Sequence, residues 1–98
     1  MAQYQILYWH DIPTQVRVRE GRERVSRPLP DRFMEAVDAV AMAAKLTGTD
    51  DYMQGFRWSD AQERSGTLPE IADAIVAELD AQFPTIDWRP LAQRLRES

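Results

Sequence analysis

The chain contains no cysteine and a single histidine, His10, among its 98 residues. These shortages exclude a disulfide framework and thiol chemistry, and they leave too few nitrogen and sulfur ligands for the usual zinc sites. The four glycines are scattered, so they form no glycine-rich phosphate loop. No serine lies in a nucleophile-elbow motif beside the single imidazole. We therefore predict no catalytic residue, no metal site and no cofactor.

Long hydrophobic runs are also missing from the sequence. No stretch approaches the roughly 20 apolar residues that a membrane span requires, and the N-terminal residues lack the features of a signal peptide. The net charge of -4 argues against nucleic acid or an anionic membrane as a partner. With 44% hydrophobic residues, the chain suits one folded domain over residues 1–98. We expect a cytoplasmic protein.

Positive charge is concentrated in one segment. Six of the eleven arginines lie in residues 16–32 against three acidic residues, which makes this segment +3 and leaves -7 for the rest of the chain. One interpretation is a solvated hairpin whose arginines pair with Glu20 and Glu23. The other is a docking patch for an acidic protein or an anionic ligand, to which the planar guanidinium is suited. The candidate contacts in this segment are Arg17, Arg19, Arg22 and Arg24. Their spacing along the sequence fits both interpretations equally well.

The first part of the chain predicts two strands. Residues 3–10 are rich in aromatic and branched residues, and residues 15–20 alternate strictly between apolar and polar. We expect the two strands to pair antiparallel across a turn at 11–14, because Pro13 removes a donor from the ladder. Alternation places Trp9 on the face opposite Ile6. Residues 22–30 are expected to continue as extended chain, with Val25 facing inward.

The remaining chain predicts three helices and one more strand. A helix is predicted at residues 31–46. After Asp31 and Arg32 it is apolar except for a narrow stripe that contains Glu35, Asp38, Met42 and Lys45, so neighbours should cover most of this helix. Its apolar surface is alternatively a contact for a partner or a second copy of the chain. A stop is expected at Thr47-Gly48. A loop at 49–51 and a strand at 52–58 should follow.

Residues 59–66 are predicted as a polar connection, with an exposed continuation of the strand as the alternative. Thr67 and Glu70 have the spacing of a capping box before a helix at 68–83. A short helix at 88–97 ends the chain, with Asp87 as its cap. The order β-β-α-β-α with this last helix indicates a two-layer α+β domain with a small, mostly antiparallel sheet.

One local cluster places rings, an imidazole and a carboxylate at a strand end. The functional interpretation of Trp9, His10 and Asp11 is a contact for a small ligand or a partner. The structural interpretation, which we favour, is a packed indole, a hydrogen-bonded imidazole and a turn-forming carboxylate. Arg57 is expected to line a groove or pair with an acid. The candidate binding residues are Trp9, His10, Asp11, Gln15, Arg17, Arg19, Arg22, Arg24, Arg57 and Trp58.

Several stretches of the sequence resemble a known family of small bacterial domains. The run Trp9-His10-Asp11-Ile12-Pro13-Thr14-Gln15-Val16, the helix opening Pro30-Asp31-Arg32-Phe33, and the stretches Gly48-Thr49-Asp50-Asp51-Tyr52 and Phe56-Arg57-Trp58 are similar to the family called "virulence factor". The resemblance covers about residues 3–89. A version of the domain accompanies the conserved virulence factor C protein. The resemblance implies a bacterial protein and provides no catalytic residues.

Three hypotheses about function follow. The leading one is a non-enzymatic accessory or interaction module that contacts a partner through the Arg-rich hairpin and the strand end at residues 9–15. The resemblance also implies an association of stand-alone members with corrinoid- and folate-linked one-carbon metabolism. The second hypothesis is therefore a small-ligand-binding or auxiliary subunit in methyl transfer, and the third is a structural homo-oligomer.

Overall fold

A five-stranded antiparallel sheet with helices packed against it forms the domain in the computed structural model, which describes residues 2–46 and 49–97. The elements are β1 (Ala2–Trp9), β2 (Ile12–Glu20), β3 (Glu23–Pro28), α1 (Asp31–Ala43), α2 (Thr49–Met53), β4 (Phe56–Trp58), β5 (Gln62–Arg64), α3 (Leu68–Gln82) and α4 (Arg89–Arg96). The strand order is β3-β2-β1-β4, and β5 also pairs with β1. Both α1 and α3 pack on β2, which confirms the α+β class with two layers.

The turn between β1 and β2 is shorter than predicted. Trp9 pairs with Ile12, so the turn contains just His10 and Asp11, and β2 begins three residues before the predicted position. The register shifts beside Pro13, and Thr14 is the extra residue of a β-bulge. The Thr14 hydroxyl donates to the Leu7 carbonyl at 2.8 Å. A proline is tolerated in β2 because it lies beside this bulge.

The same irregularity changes which side chains of β1 reach the core. Tyr4 and Ile6 pack against the core, as alternation predicts, but the next core residue is Trp9 instead of Tyr8. The expectation that Trp9 lies on the face opposite Ile6 is therefore wrong. Trp9 lies beyond the point at which the register shifts and pairs with the buried Ile12, so the regular alternation of β1 does not extend to it.

Helix α1 confirms its predicted pattern but ends earlier. Glu35, Asp38, Met42 and Lys45 are all exposed, as the polar stripe predicted. Lys45 has a φ of 60°, and the amides of Lys45 and Leu46 bond back to the carbonyls of Met42 and Ala41. This is a Schellman motif, which ends the helix at Ala43 instead of residue 46. The predicted stop at Thr47-Gly48 lies outside the described residues.

The segment after α1 differs most from prediction. Helix α2 replaces the expected loop at 49–51 and the first half of the expected strand, so β4 begins at Phe56 instead of residue 52. The turn of α2 closes through the Gly55 amide, which donates to the Tyr52 carbonyl at 3.2 Å. Beyond Ser59 the chain continues along β1 as β5, which confirms the alternative of an exposed strand continuation.

The last two helices follow their local signals. The Glu70 amide donates to the Thr67 hydroxyl oxygen at 3.3 Å, as the capping box predicts, and α3 begins at Leu68. In α4, Leu91 is buried as predicted, but the helix begins at Arg89 with Trp88 as its N-cap, so the prediction of Asp87 as the cap is wrong by one residue. The Asp87 carboxylate still accepts from the Arg89 amide at 3.4 Å. None of the helices in the described ranges is both long enough and apolar enough to cross a membrane.

Candidate functional site

The sheet has one helix-covered face and one exposed face. Val16, Val18 and Val25 point into the core on the covered side. Because side chains alternate along a strand, the residues between them point the other way. We call this second surface the open face; it consists of Gln3, Gln5, Leu7, Gln15, Arg17, Arg19, Arg24, Ser26 and Trp58, which are exposed or half-exposed.

The centre of the open face is a stacked cation and ring. The Cζ atom of Arg17 lies 4.0 Å from the centroid of the Trp58 ring. An Nη of the same guanidinium donates to the Gln5 side-chain oxygen at 3.0 Å. Trp58 keeps 37% of its surface exposed. The stack therefore holds a large ring and a guanidinium in fixed positions at the surface.

The register of the β2–β3 hairpin sorts its charges by face. Arg19 pairs directly with Arg24, and Glu20 pairs directly with Glu23. The two arginines thus lie on the open face, and the two glutamates lie on the other side. Within the ranges 2–46 and 49–97, no acidic side chain forms an ion pair with Arg19, Arg24 or the turn residue Arg22. The expected pairing of these arginines with Glu20 and Glu23 is absent from this part of the chain.

Two other arginines of the basic segment have structural roles. Arg27 pairs with Asp73 of α3 at 3.2 Å. Arg32, at the start of α1, pairs with Asp80 and donates to the Phe83 carbonyl at 2.8 Å. Both arginines therefore fasten elements to α3, and the charge available to a partner belongs to Arg17, Arg19, Arg22 and Arg24.

A second group of candidates meets at the β1–β2 turn. His10, Asp11 and Arg57 line an open pocket of about 320 Å³ with Gln54, Gly55, Leu91, Arg94 and Leu95, which we call the turn pocket. Asp11 pairs with Arg94 of α4 at 2.5 Å. Burial lowers the pKa of His10 below its usual value, and the positive charges of Arg57 and Arg94 add to this effect against the opposing charge of Asp11. His10 is consequently neutral at pH 7.

Trp9 supports the turn pocket from beneath. Its side chain is fully buried, and its indole Nε1 donates to the Tyr52 carbonyl at 2.8 Å. The ring also makes an edge-to-face contact with His10, with centroids 4.6 Å apart. A Cβ on Gly55 would come within 2.6 Å of the Trp9 Nε1 and 2.8 Å of the His10 Nε2, so this position needs glycine. Trp9 thus has no surface to offer a ligand.

The structure divides the predicted site residues between two places. Gln15, Arg17, Arg19, Arg24 and Trp58 belong to the open face with Arg22 at its edge, and His10, Asp11 and Arg57 belong to the turn pocket. Successive residues of a strand face opposite ways, so Arg57 and Trp58 serve different surfaces.

Sequence reasoning missed several residues of these surfaces, among them Gln5, Leu7 and Arg94. Gln5 and Leu7 lie on the open face, and their alternation with Tyr4 and Ile6 could have indicated it. Arg94 reaches the turn pocket from α4, 83 residues along the chain from Asp11, and no local signal points to that contact.

Comparison with known protein families identifies the family of this chain. The model of the family described as Virulence factor matches residues 7–91, nearly the whole chain. No curated protein and no solved structure matches the chain.

Proposed function

This chain belongs to the virulence factor family, and on that premise we propose that it is a non-enzymatic interaction module that binds an acidic protein surface through its open face. The observation that carries the proposal is the sorting of charge in the β2–β3 hairpin. Arg19 and Arg24 lie directly opposite each other on the open face, with no acidic partner among the residues that the structure describes.

This arrangement has a cost within the domain that a partner would offset. Like charges at directly opposed positions of a sheet are destabilising, and side chains at such positions have Cβ atoms about 4.5–5.5 Å apart. Two carboxylates on a partner would each find a guanidinium there, in the bidentate geometry that arginine favours. The opposed pair therefore suits an acidic surface better than it suits bulk solvent.

The stack at the centre of the open face supplies the second element of an interface. Tryptophan and arginine are the residue types that most often dominate the binding energy of protein interfaces. Trp58 is half-exposed and held by Arg17, so its ring is positioned before a partner arrives. Gln5, Leu7 and Gln15 surround the stack with amide groups and one apolar side chain. This combination suits a protein surface with acidic residues around an apolar contact.

The partner belongs to the bacterial cytoplasm in this proposal. The absence of cysteine in the sequence supports that compartment. Nucleic acid and membranes are disfavoured because the chain carries a net charge of -4 and has -7 outside residues 16–32.

The test begins with capture of partners from the native host by the tagged full chain, followed by purification of each candidate and measurement of its affinity. The variant R19E/R24E should weaken binding by at least about tenfold, because each reversal replaces an attraction by a repulsion. The control R89E/R96E makes the same change in net charge on exposed positions of α4, and it should bind like the wild type.

The variant and wild type should have similar free energies of unfolding, since the variant keeps a like-charged pair at the same opposed positions. Equal affinity of R19E/R24E and wild type for the purified partner would reject the open face as the binding surface. Equal losses in R19E/R24E and R89E/R96E would reject it as well, since only net charge would then matter.

A further inference from the structure

The turn pocket lies at the other end of β2 from the hairpin tip and uses none of the open-face residues. Its walls come from three places in the chain: the β1–β2 turn, the segment at Gly55 and Arg57, and helix α4. Arg57 precedes Trp58 on β4 and therefore points away from the open face. A ligand in this pocket would be independent of a protein on the open face.

The described residues that line the turn pocket include two positively charged groups, Arg57 and Arg94, and one negatively charged group, Asp11. Asp11 is already paired with Arg94. Arg57 makes no ion pair with an acidic side chain in the described part of the chain. The imidazole of His10 is neutral, because burial and the two guanidinium groups lower its pKa against the effect of Asp11. Among the described lining residues, Arg57 is therefore the group best suited to a negatively charged ligand.

The backbone at the turn pocket is strained where the ligand would lie. His10 has a φ of 52°, a left-handed conformation that residues other than glycine rarely adopt. Its ring is held there by the Trp9 edge and by the bare backbone of Gly55, and its amide donates to the Gly55 carbonyl at 2.9 Å. Residues held in such conformations cluster at binding and active sites.

The pocket also has an apolar wall. Leu91 of α4 is buried and Leu95 is half-buried, and both line the pocket beside the charged groups. A bare inorganic anion would leave this wall without a contact. A ligand with a short apolar body would cover it and would gain the hydrophobic contribution.

We propose that the turn pocket binds a small organic carboxylate with a short apolar body. Arg57 receives the carboxylate through its planar fork of donors, and the His10 imidazole lies beside it. The apolar body rests on Leu91 and Leu95. The volume of about 320 Å³ suits a ligand of this size class.

The test uses benzoate as the probe and the ring resonances of His10 as the reporter, since the chain has one histidine. Titration of the full chain should give a saturable shift of the His10 signals. Bound benzoate should also raise the pKa of His10, because a carboxylate beside the imidazole favours its protonated form. Acetate and inorganic phosphate should bind more weakly, because neither covers the leucine wall.

Two variants separate the turn pocket from other surfaces. R57Q removes the positive charge of Arg57 at an exposed position and should weaken benzoate binding by about tenfold. R89Q, on the same helix as Arg94 but outside the turn pocket, should bind benzoate like the wild type. R19E/R24E should also bind benzoate normally, so failure of this proposal and failure of the open-face proposal are distinguishable.

Three outcomes would overturn the proposal: no saturable shift of the His10 signals, equal binding by R57Q and wild type, or phosphate binding as tightly as benzoate. Far-UV circular dichroism establishes that R57Q is folded. If R57Q does not fold, L95E is tested in its place. This variant puts a carboxylate on the apolar wall at a half-buried position, and it should abolish the shift of the His10 signals.

Discussion

Strand β2 has a tight turn at each end. The two turns both begin with a residue of positive φ, but they differ in their surroundings. Each turn has two residues, and the first residue of each has a positive φ: 52° at His10 and 60° at Gly21. At the exposed hairpin tip, glycine takes this conformation without strain. At the packed end, histidine takes it because Trp9 and Gly55 hold the ring in place. Strain thus lies where neighbours can hold it, and the turn that bears it also lines a pocket.

The largest difference in stability between the two turns is expected when the packing beneath the first turn, at His10 and Asp11, is removed. Trp9→Ala should lower the free energy of unfolding by about 3–5 kcal/mol, because it empties a fully buried site and removes the hydrogen bond from the indole to the Tyr52 carbonyl. Arg22→Ala at the other turn should change it by less than about 0.5 kcal/mol. Urea denaturation of both variants measures the difference. A similar small loss in both variants would contradict the unequal roles of the turns.

A smaller effect is expected from the backbone of the second turn. Gly21→Ala should cost about 1 kcal/mol, since an alanine pays for the left-handed conformation. A Cβ at residue 21 would meet no atom within 4 Å, so the cost is conformational and not steric. Gly21→Asn is the matched control and should lose less, because asparagine tolerates this region. Equal losses would show that the conformation is not the cause.

The smallest effect concerns pH and distinguishes the first turn from the second. The lowered pKa of His10 in the folded protein means that the unfolded chain takes up the proton first as the pH falls below about 6.5. The neutral His10 therefore makes its full contribution to the free energy of unfolding above that pH. This contribution is lost as the pH falls from there through the pKa of His10 in the folded protein. Thermal unfolding between pH 7.5 and 5 should show this decrease in the wild type. His10→Asn should show a shallower decrease, and an unchanged slope would contradict the assignment.

The sequence predicted the elements whose signals are local. The capping box at Thr67 and Glu70 positions the start of α3 correctly, since both residues act within one helical turn. The polar stripe of α1 is exposed as expected, because helical periodicity in a continuous stretch of sequence determines which residues share a face. The extended conformation of β3 follows from Pro28 and Pro30, which exclude a regular helix.

The features that were missed depend on contacts between distant residues. The alternation of residues 52–58 predicts one strand. In the structure the Tyr52 carbonyl accepts a hydrogen bond from the Trp9 indole, and helix α2 forms at this position instead. The bulge at Thr14 is held by the Leu7 carbonyl on the neighbouring strand.

The sequence identified residues of the candidate sites but did not predict how the fold distributes them between two surfaces. Spacing identified the basic segment, but the register that places Arg19 opposite Arg24 is a property of the folded hairpin. The same holds for the division of Arg57 from Trp58, which share a strand but serve opposite faces. A one-residue change of register would have moved the side chains of one strand to the other face, and the register depends on the two-residue turn at Gly21 and Arg22 as well as on the apolar pattern.

The opposed arginines have a consequence for how the domain responds to dissolved ions. Mobile ions weaken charge interactions beyond about 8 Å at physiological ionic strength and reduce them at shorter range on exposed surfaces. Salt therefore relieves the repulsion between Arg19 and Arg24 and steadies the hairpin, while it weakens the pull of the same two groups on an acidic surface. One pair of side chains thus makes folding and association respond to ionic strength in opposite directions.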